Sequence, residues 1–340
     1  MSATVKHDAL QTFDAPDITS RVSLGSDDFA TAAVVSRISA PKMLVELSVA
    51  DPKRLAVEIA SAALEAHRSG TLTLVIVNTV ERARDVHRAI SKKSTEAELV
   101  LLHSRFRPSD RARQVDNALK PIDGLGSGRI VVSTQVVEAG VDISSSTLIT
   151  ELAPWPSIVQ RAGRCNRDGL TVDAKMVWVR LAVEHSLPYE STDLAATAAE
   201  LSRLSGAIVN SEVLGAATVA TVKQIQPVLR RRDLLELFDT LADVTGNDVD
   251  VSRFIRESDD LDVAVAWRTG VGDVHAEQSM PGKHERCSVP VRAFREWVKK
   301  HQRDGEVRQW DSLHRRWVIC RAEHVRPGLV VIVDASSGGY

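Results

Sequence analysis

Cysteine is scarce in this chain, with Cys165, Cys287 and Cys320 among 340 residues. The count is odd and no two stand at metal-ligand spacing. That argues against a disulfide framework, gives no metal site, and suits a reducing compartment. Long apolar runs are missing too, so no segment reads as a bilayer-spanning helix. The first residues, MSATVKHDAL, do not read as a secretory leader. The expectation is a cytoplasmic protein with no membrane partner. Net charge is −2, which excludes a coat protein basic throughout but not a local basic channel, because field follows local distribution. Also absent are a G-x-x-x-x-G-K-[ST] phosphate loop and an acidic D-E-x-[DH] box. Without them no lysine grips the β- and γ-phosphates of a nucleotide and no carboxylate holds Mg²⁺. Gly282-Lys283 is a poor match to such a loop, with His284 in place of Ser or Thr and Glu277 in place of the first glycine.

What is present is an ordinary globular composition, 44% hydrophobic and 26% charged, at a length that suits two domains. Between residues 41 and 187, apolar β-rich runs alternate with helical patterns. Strands are expected at 42–49, 71–78, 98–104 and in RIVVS, TLITEL and KMVWVRL. Helices are expected after Asp51, over 80–91 and over 108–119, with a Gly-rich turn at 123–128. Repetition at this pitch predicts an α/β fold with a parallel sheet and helices on both faces. Residues 188–260 read as a helical linker region. Residues 261–340 read as a small α+β domain of short strands (DVAVAWR, RRWVICR, GLVVIV) around one amphipathic helix, VRAFREWVKKHQ. The tryptophans of this last region read as core or interface rather than base-stacking platforms.

The chemistry concentrates in STQVVEAGVDISSSTLITELAPWPSIVQRAGRCNR, residues 133–167. Arg164 and Arg167 stand three apart, a spacing that on a helix puts both guanidiniums on one face. Two forked cations aimed together suit a phosphate chain. The turn after the strand ending at Ser133 carries Thr134, Gln135, Glu138, Gly140 and Asp142. Its amides and hydroxyls could hold a phosphodiester without reading bases. LLHSRFRPSDRARQ places His103, Ser104 and Arg105 at the carboxyl end of a strand, where ligands gather in open α/β sheets, beside the further arginines Arg107, Arg111 and Arg113.

The end of this stretch resembles the last two motifs of superfamily 2 helicases, in the variant of the CRISPR-associated type I helicase–nuclease. The resemblance is specific over 133–167 and softer elsewhere. It implies a RecA-like second motor domain at 41–187, followed by the family's C-terminal domain. It implies that residues 1–40 hold the end of a first motor domain and a linker, with Ser2-Ala3-Thr4 as that domain's S-A-T motif. Arg164 and Arg167 would reach the γ-phosphate of ATP, and Gln160 would sense the nucleotide. Gly140, Asp142 and Gly163 would lie at the nucleotide, while Thr134, His103, Ser104, Arg105, Asn78 and Thr79 would meet single-stranded DNA. ATP and Mg²⁺ would be bound mainly by a first motor domain lying upstream or in a separate chain, and a CRISPR surveillance complex would be the larger partner. Alone, the chain is expected to be inactive as an ATPase. The residues leave open a non-enzymatic DNA-binding or docking module and a fragment of a superfamily 2 RNA helicase. The pair His7-Asp8, with no further histidines around it, does not make a nuclease site.

Overall fold

The computed structural model describes residues 26–93, 95–182, 186–219, 231, 235, 262–271, 278–300 and 307–337. The Ser2-Ala3-Thr4 and His7-Asp8 motifs, and most of the expected linker beyond 219, lie outside the described residues. The chain divides into two compact units, residues 1–106 with 110–222 and residues 107–109 with 223–340.

The first unit is built on a seven-stranded sheet in the order β3-β4-β2-β5-β6-β1-β7. Its strands are β1 (Lys42–Leu47), β2 (Leu72–Ile76), β3 (Glu98–Leu102), β4 (Arg129–Ser133), β5 (Thr147–Glu151), β6 (Lys175–Val179) and β7 (Ile208–Val209). All pairings are parallel except that of β1 with β7. Helices α1 (Ala32–Ser39), α2 (Leu55–Ala66), α3 (Val80–Ser91), α4 (Pro108–Leu119), α5 (Trp155–Ala162), α6 (Ser191–Leu204) and α7 (Ser211–Ala216) accompany them. Strands β2, β4 and β5 are buried along their whole length, which is why they read as unbroken apolar runs rather than alternating ones. The period of two still sorts their side chains. Leu74, Ile76, Val131, Leu148 and Trp178 pack with Ile158 and Ala162 of α5 and Leu194 and Leu201 of α6. Val75, Val77, Ile130, Val132, Ile149 and Val177 pack on the other face with Ile59 and Ala63 of α2 and Val86 and Ile90 of α3. The expected parallel sheet covered on both faces is therefore the observed one.

The end expected for this domain at 187 falls inside the unit. Helix α6 buries Leu194, Leu201 and Leu204 in the same core as Trp178, and β7 extends the sheet beyond β1. The helical spacing of this stretch was plain in the sequence, but its partner was not. A linker and a packed helix differ in what covers the apolar stripe.

The second unit is a five-stranded sheet in the order β11-β10-β12-β8-β9, with β8 (Asp262–Arg268), β9 (Cys287–Pro290), β10 (Val307–Asp311), β11 (Arg316–Ile319) and β12 (Val330–Asp334). Helix α8 (Val291–Lys300) buries Phe294 and Val298 against it, giving the expected α+β architecture. Strands β9 and β10 join the three foreseen. The Gly282-Lys283 stretch is a structural turn, in which the Gly282 amide donates to Glu285 Oε2 at 2.6 Å and Arg268 pairs with Glu285 at 2.9 Å. No helix of the described residues is long and apolar enough to cross a membrane.

Candidate nucleotide and nucleic-acid site

Asn78, Thr79, His103, Ser104, Arg105 and Thr134 follow the carboxyl ends of β2, β3 and β4, whereas the backbone of Arg164 and Arg167 runs beside Ser144 and Ser145, ahead of β5. Beyond β2, the Asn78 amide donates to Glu151 Oε2 at 2.7 Å and its Nδ2 donates to the Leu152 carbonyl at 2.8 Å. Gln135 Nε2, beyond β4, donates to the Asn78 carbonyl at 2.8 Å. Glu151, at the end of β5, also takes Arg82 Nη1 of α3 at 2.7 Å. Three strand ends and one helix are thus pinned together by polar bonds shielded from water, where such bonds are strong and a missing partner is costly. Arg161 lies among them with no exposed surface. Its Nε donates to Glu138 Oε1 at 2.7 Å, and its Nη atoms donate to Thr150 Oγ1, the Glu151 carbonyl and Asn78 Oδ1 at 3.0–3.1 Å.

Arg164 and Arg167 are not on a helix, a correction to the shared-face expectation. Helix α5 ends at Ala162 with Gly163 as its C-cap, and the chain then turns along the segment before β5. Ser145 N donates to the Arg164 carbonyl at 2.9 Å and Asn166 N donates to the Ser145 carbonyl at 2.8 Å, making a parallel bridge between Ser145 and Cys165. Asn166 adopts φ +50°, the left-handed region that asparagine tolerates. Its buried side chain bonds the Pro41 carbonyl and both backbone groups of Thr171. Lys42 of β1, also buried, donates to the Ala162 carbonyl at 3.2 Å, a cation at a helix C-terminus. Burial depresses its pKa, and burial pushes the Cys165 thiol up to about 12, so that thiol is inert.

What brings the two arginines together is this turn. Arg164 is half-buried and its Nη2 donates to the Glu138 carbonyl at 2.6 Å, while its Nε has no partner. Burial, and then the nearby charge of Arg167, lower its pKa. Arg167 Nε pairs with Asp142 Oδ1 at 2.5 Å at a more open position. Such an exposed pair is worth at most about 1 kcal/mol, so it yields readily to a stronger anion.

The other expected residues are placed as follows. Gly140 has φ +78° with open space around its Cβ position, so the turn needs glycine for its backbone. Gly163 has φ −66°, and a Cβ there would meet the Gln160 carbonyl at 3.3 Å; it caps the helix without a left-handed conformation. Gln160 is half-buried in the last turn of α5. Thr79 caps α3, its side chain accepting from the Arg82 amide at 3.2 Å. Ser104 is exposed and Arg105 partly so. Asn78, Thr134 and His103 are buried, which does not agree with side chains presented to nucleic acid; Asn78 fastens strand ends instead. The sequence reading passed over Arg161, Glu151, Arg82, Lys42 and Asn166. For Arg161 a signal existed, since Trp155, Ile158, Arg161 and Ala162 follow helical spacing and are the buried positions of α5.

A mainly parallel sheet in this order, covered by helices on both faces, is a RecA-like fold. Residues 69–170 match the family model described as CRISPR-associated nuclease/helicase Cas3, C-terminal, so this stretch of the chain is similar to that family. It is 36% identical over 148 residues to the CRISPR-associated helicase Cas3 of Thermoproteus tenax, covering 42% of this chain and 24% of the relative. It is 31% identical over 108 residues to the CRISPR-associated endonuclease/helicase Cas3 of Escherichia coli K12, covering 31% of this chain and 12% of the relative. The matched region thus spans a quarter or less of these relatives. In fold it is similar to the crystal structure of T. fusca Cas3-AMPPNP, with TM-score 0.53 and 17% identity over 86% of this chain and 40% of that one.

Proposed function

We propose that this chain supplies the second motor domain and C-terminal domain of an ATP-dependent superfamily 2 DNA helicase/translocase of type I CRISPR interference. The observation that carries the reading is the Arg164–Arg167 turn. It holds two guanidiniums near one another, one with a donor lacking any partner and the other on an exposed pair that breaks cheaply. Arg164 and Arg167 are the phosphate-facing arginines, and Gln160 stands in the preceding turn to respond to the nucleotide. Gly140 and Asp142 line the nucleotide side. Thr79, Ser104 and Arg105 give sequence-blind contacts to single-stranded DNA, on strand ends fastened by Asn78, with His103 and Thr134 packed behind them. A partner domain is the holder of Mg²⁺ and most of ATP. When bound there, Mg²⁺ neutralises charge building between the phosphates. Closure and opening of the cleft between the two motor domains move the strand, and the assembled motor works with a CRISPR surveillance complex.

Adding a first motor domain that carries the phosphate-loop lysine tests this. The chain alone is expected to hydrolyse no ATP, and the pair to do so when single-stranded DNA is present. Arg164→Ala or Arg167→Ala should lower turnover by about 10³-fold with DNA affinity nearly unchanged. Turnover by the chain alone, collapse of DNA affinity with turnover intact, or preference for RNA in competition would each count against the proposal.

A further inference from the structure

Arg161 is fully enclosed, and the function proposed above gives it no task. Its guanidinium holds Glu138, from the turn after β4, at 2.7 Å and Asn78, from the end of β2, at 3.0 Å. It also reaches Thr150 Oγ1 and the Glu151 carbonyl on β5 at 3.1 Å, and the Tyr189 hydroxyl at 3.5 Å. Glu138 is held from the other side as well, since its carbonyl takes Arg164 Nη2 at 2.6 Å. The polar bonds therefore run without interruption from Arg164 through Glu138, Arg161 and Asn78 to Glu151 and Arg82. Within this run Arg161 and Arg82 face the carboxylates of Glu138 and Glu151, and Arg164 adds a third guanidinium at its end.

We propose that Arg161 is a positioning residue that aims Arg164 by fixing Glu138, and ties that aim to the strand ends beside Thr79 by fixing Asn78. The inference rests on the reading of Arg164 as phosphate-facing. A planar fork is needed for this task. Five donors in fixed directions reach acceptors on separate elements at once, whereas a lysine brings the same charge to one point. Removing the charge altogether leaves Glu138 and Glu151 buried with less compensation, which is costly for the fold. The informative replacement is therefore Arg161→Lys, with Glu138→Gln as the second variant should the first not fold.

Two measurements decide it. In the full 340-residue chain, with nitrogen-15 in the arginine side chains, Arg161→Lys or Glu138→Gln should shift or broaden the Arg164 Nε–H resonance. The Arg167 resonance, held by Asp142, should stay in place. An unmoved Arg164 signal overturns the proposal. In the ATPase assay with a first motor domain, Arg161→Lys should lower kcat by about 10²-fold, as an ångström of misplacement does, and add no further loss on top of Arg164→Ala. Losses that multiply show a residue acting on the fold and not through Arg164, and also overturn it. If Arg164→Ala turns over at the parent rate, the phosphate-facing reading has failed instead, and the resonance measurement still decides whether Arg161 places Arg164.

Discussion

His103 is 6% exposed and its ring stacks on Phe106 with centroids 4.2 Å apart. Its Nδ1 accepts from the Arg105 amide at 3.2 Å, so the fold is made for the neutral ring. Burial first, then the charges of Arg84 and Arg105, lower its pKa from 6.5 to about 4. The sign follows. As pH falls, the unfolded chain takes up this proton before the folded one does, so the stabilisation is present above pH 6.5 and is lost progressively toward pH 4. Denaturant melts across that window should show a steeper loss for the parent protein than for His103→Gln, and parallel profiles would refute the assignment. The same burial explains why a residue read from the sequence as a DNA contact serves the interior instead. A histidine following an apolar strand looks identical in either role until its neighbours are known.

Among the elements, the arginine turn offers a contrast between two glycines. Gly169, at φ +74°, lies against α1, where a Cβ would come within 2.4 Å of Ser36 Oγ and 2.7 Å of the Ser36 carbonyl. Gly140, at φ +78°, faces open space. Alanine at 140 should therefore cost about 1 kcal/mol from the backbone alone, and alanine at 169 more, about 2–3 kcal/mol, because backbone must move as well. Thermal melts of the two variants give the ordering, and equal losses would show that the packing against α1 does not matter. The strands of the first unit were legible because burial on both faces leaves an unmistakable apolar run, as in Leu72–Ile76. Helix α5 was legible in existence and not in extent. The three-residue spacing of Arg164 and Arg167 looked helical, but the backbone there is held by Ser145 and Asn166, bonds that no local pattern announces. The short β9 and β10 went unread for a related reason. Both are fixed by pairing partners outside their own short segments, β9 by β8 and β10 by its hairpin neighbour β11 and by β12.

At the scale of the whole molecule, a net charge of −2 conceals a local surplus of arginines after β3, where Arg105, Arg107, Arg111 and Arg113 follow one another within nine residues. Binding of single-stranded DNA by the full chain should therefore weaken steeply with salt, and Arg105→Ala should reduce the slope by about one counterion. An unchanged slope would remove Arg105 from the path of the strand. Each unit has its own core, with Phe294 and Val331 in one and Leu148 and Ile158 in the other. The parallel bridge between Ser145 and Cys165 makes the arginine turn depend on a second stretch of chain. A protein engineer could not transplant the arginine pair by grafting the peptide after α5, because its shape is borrowed from the run leading into β5 and from the Pro41 and Ala162 carbonyls. The smallest portable cassette spans both sides of that bridge together with the start of β1.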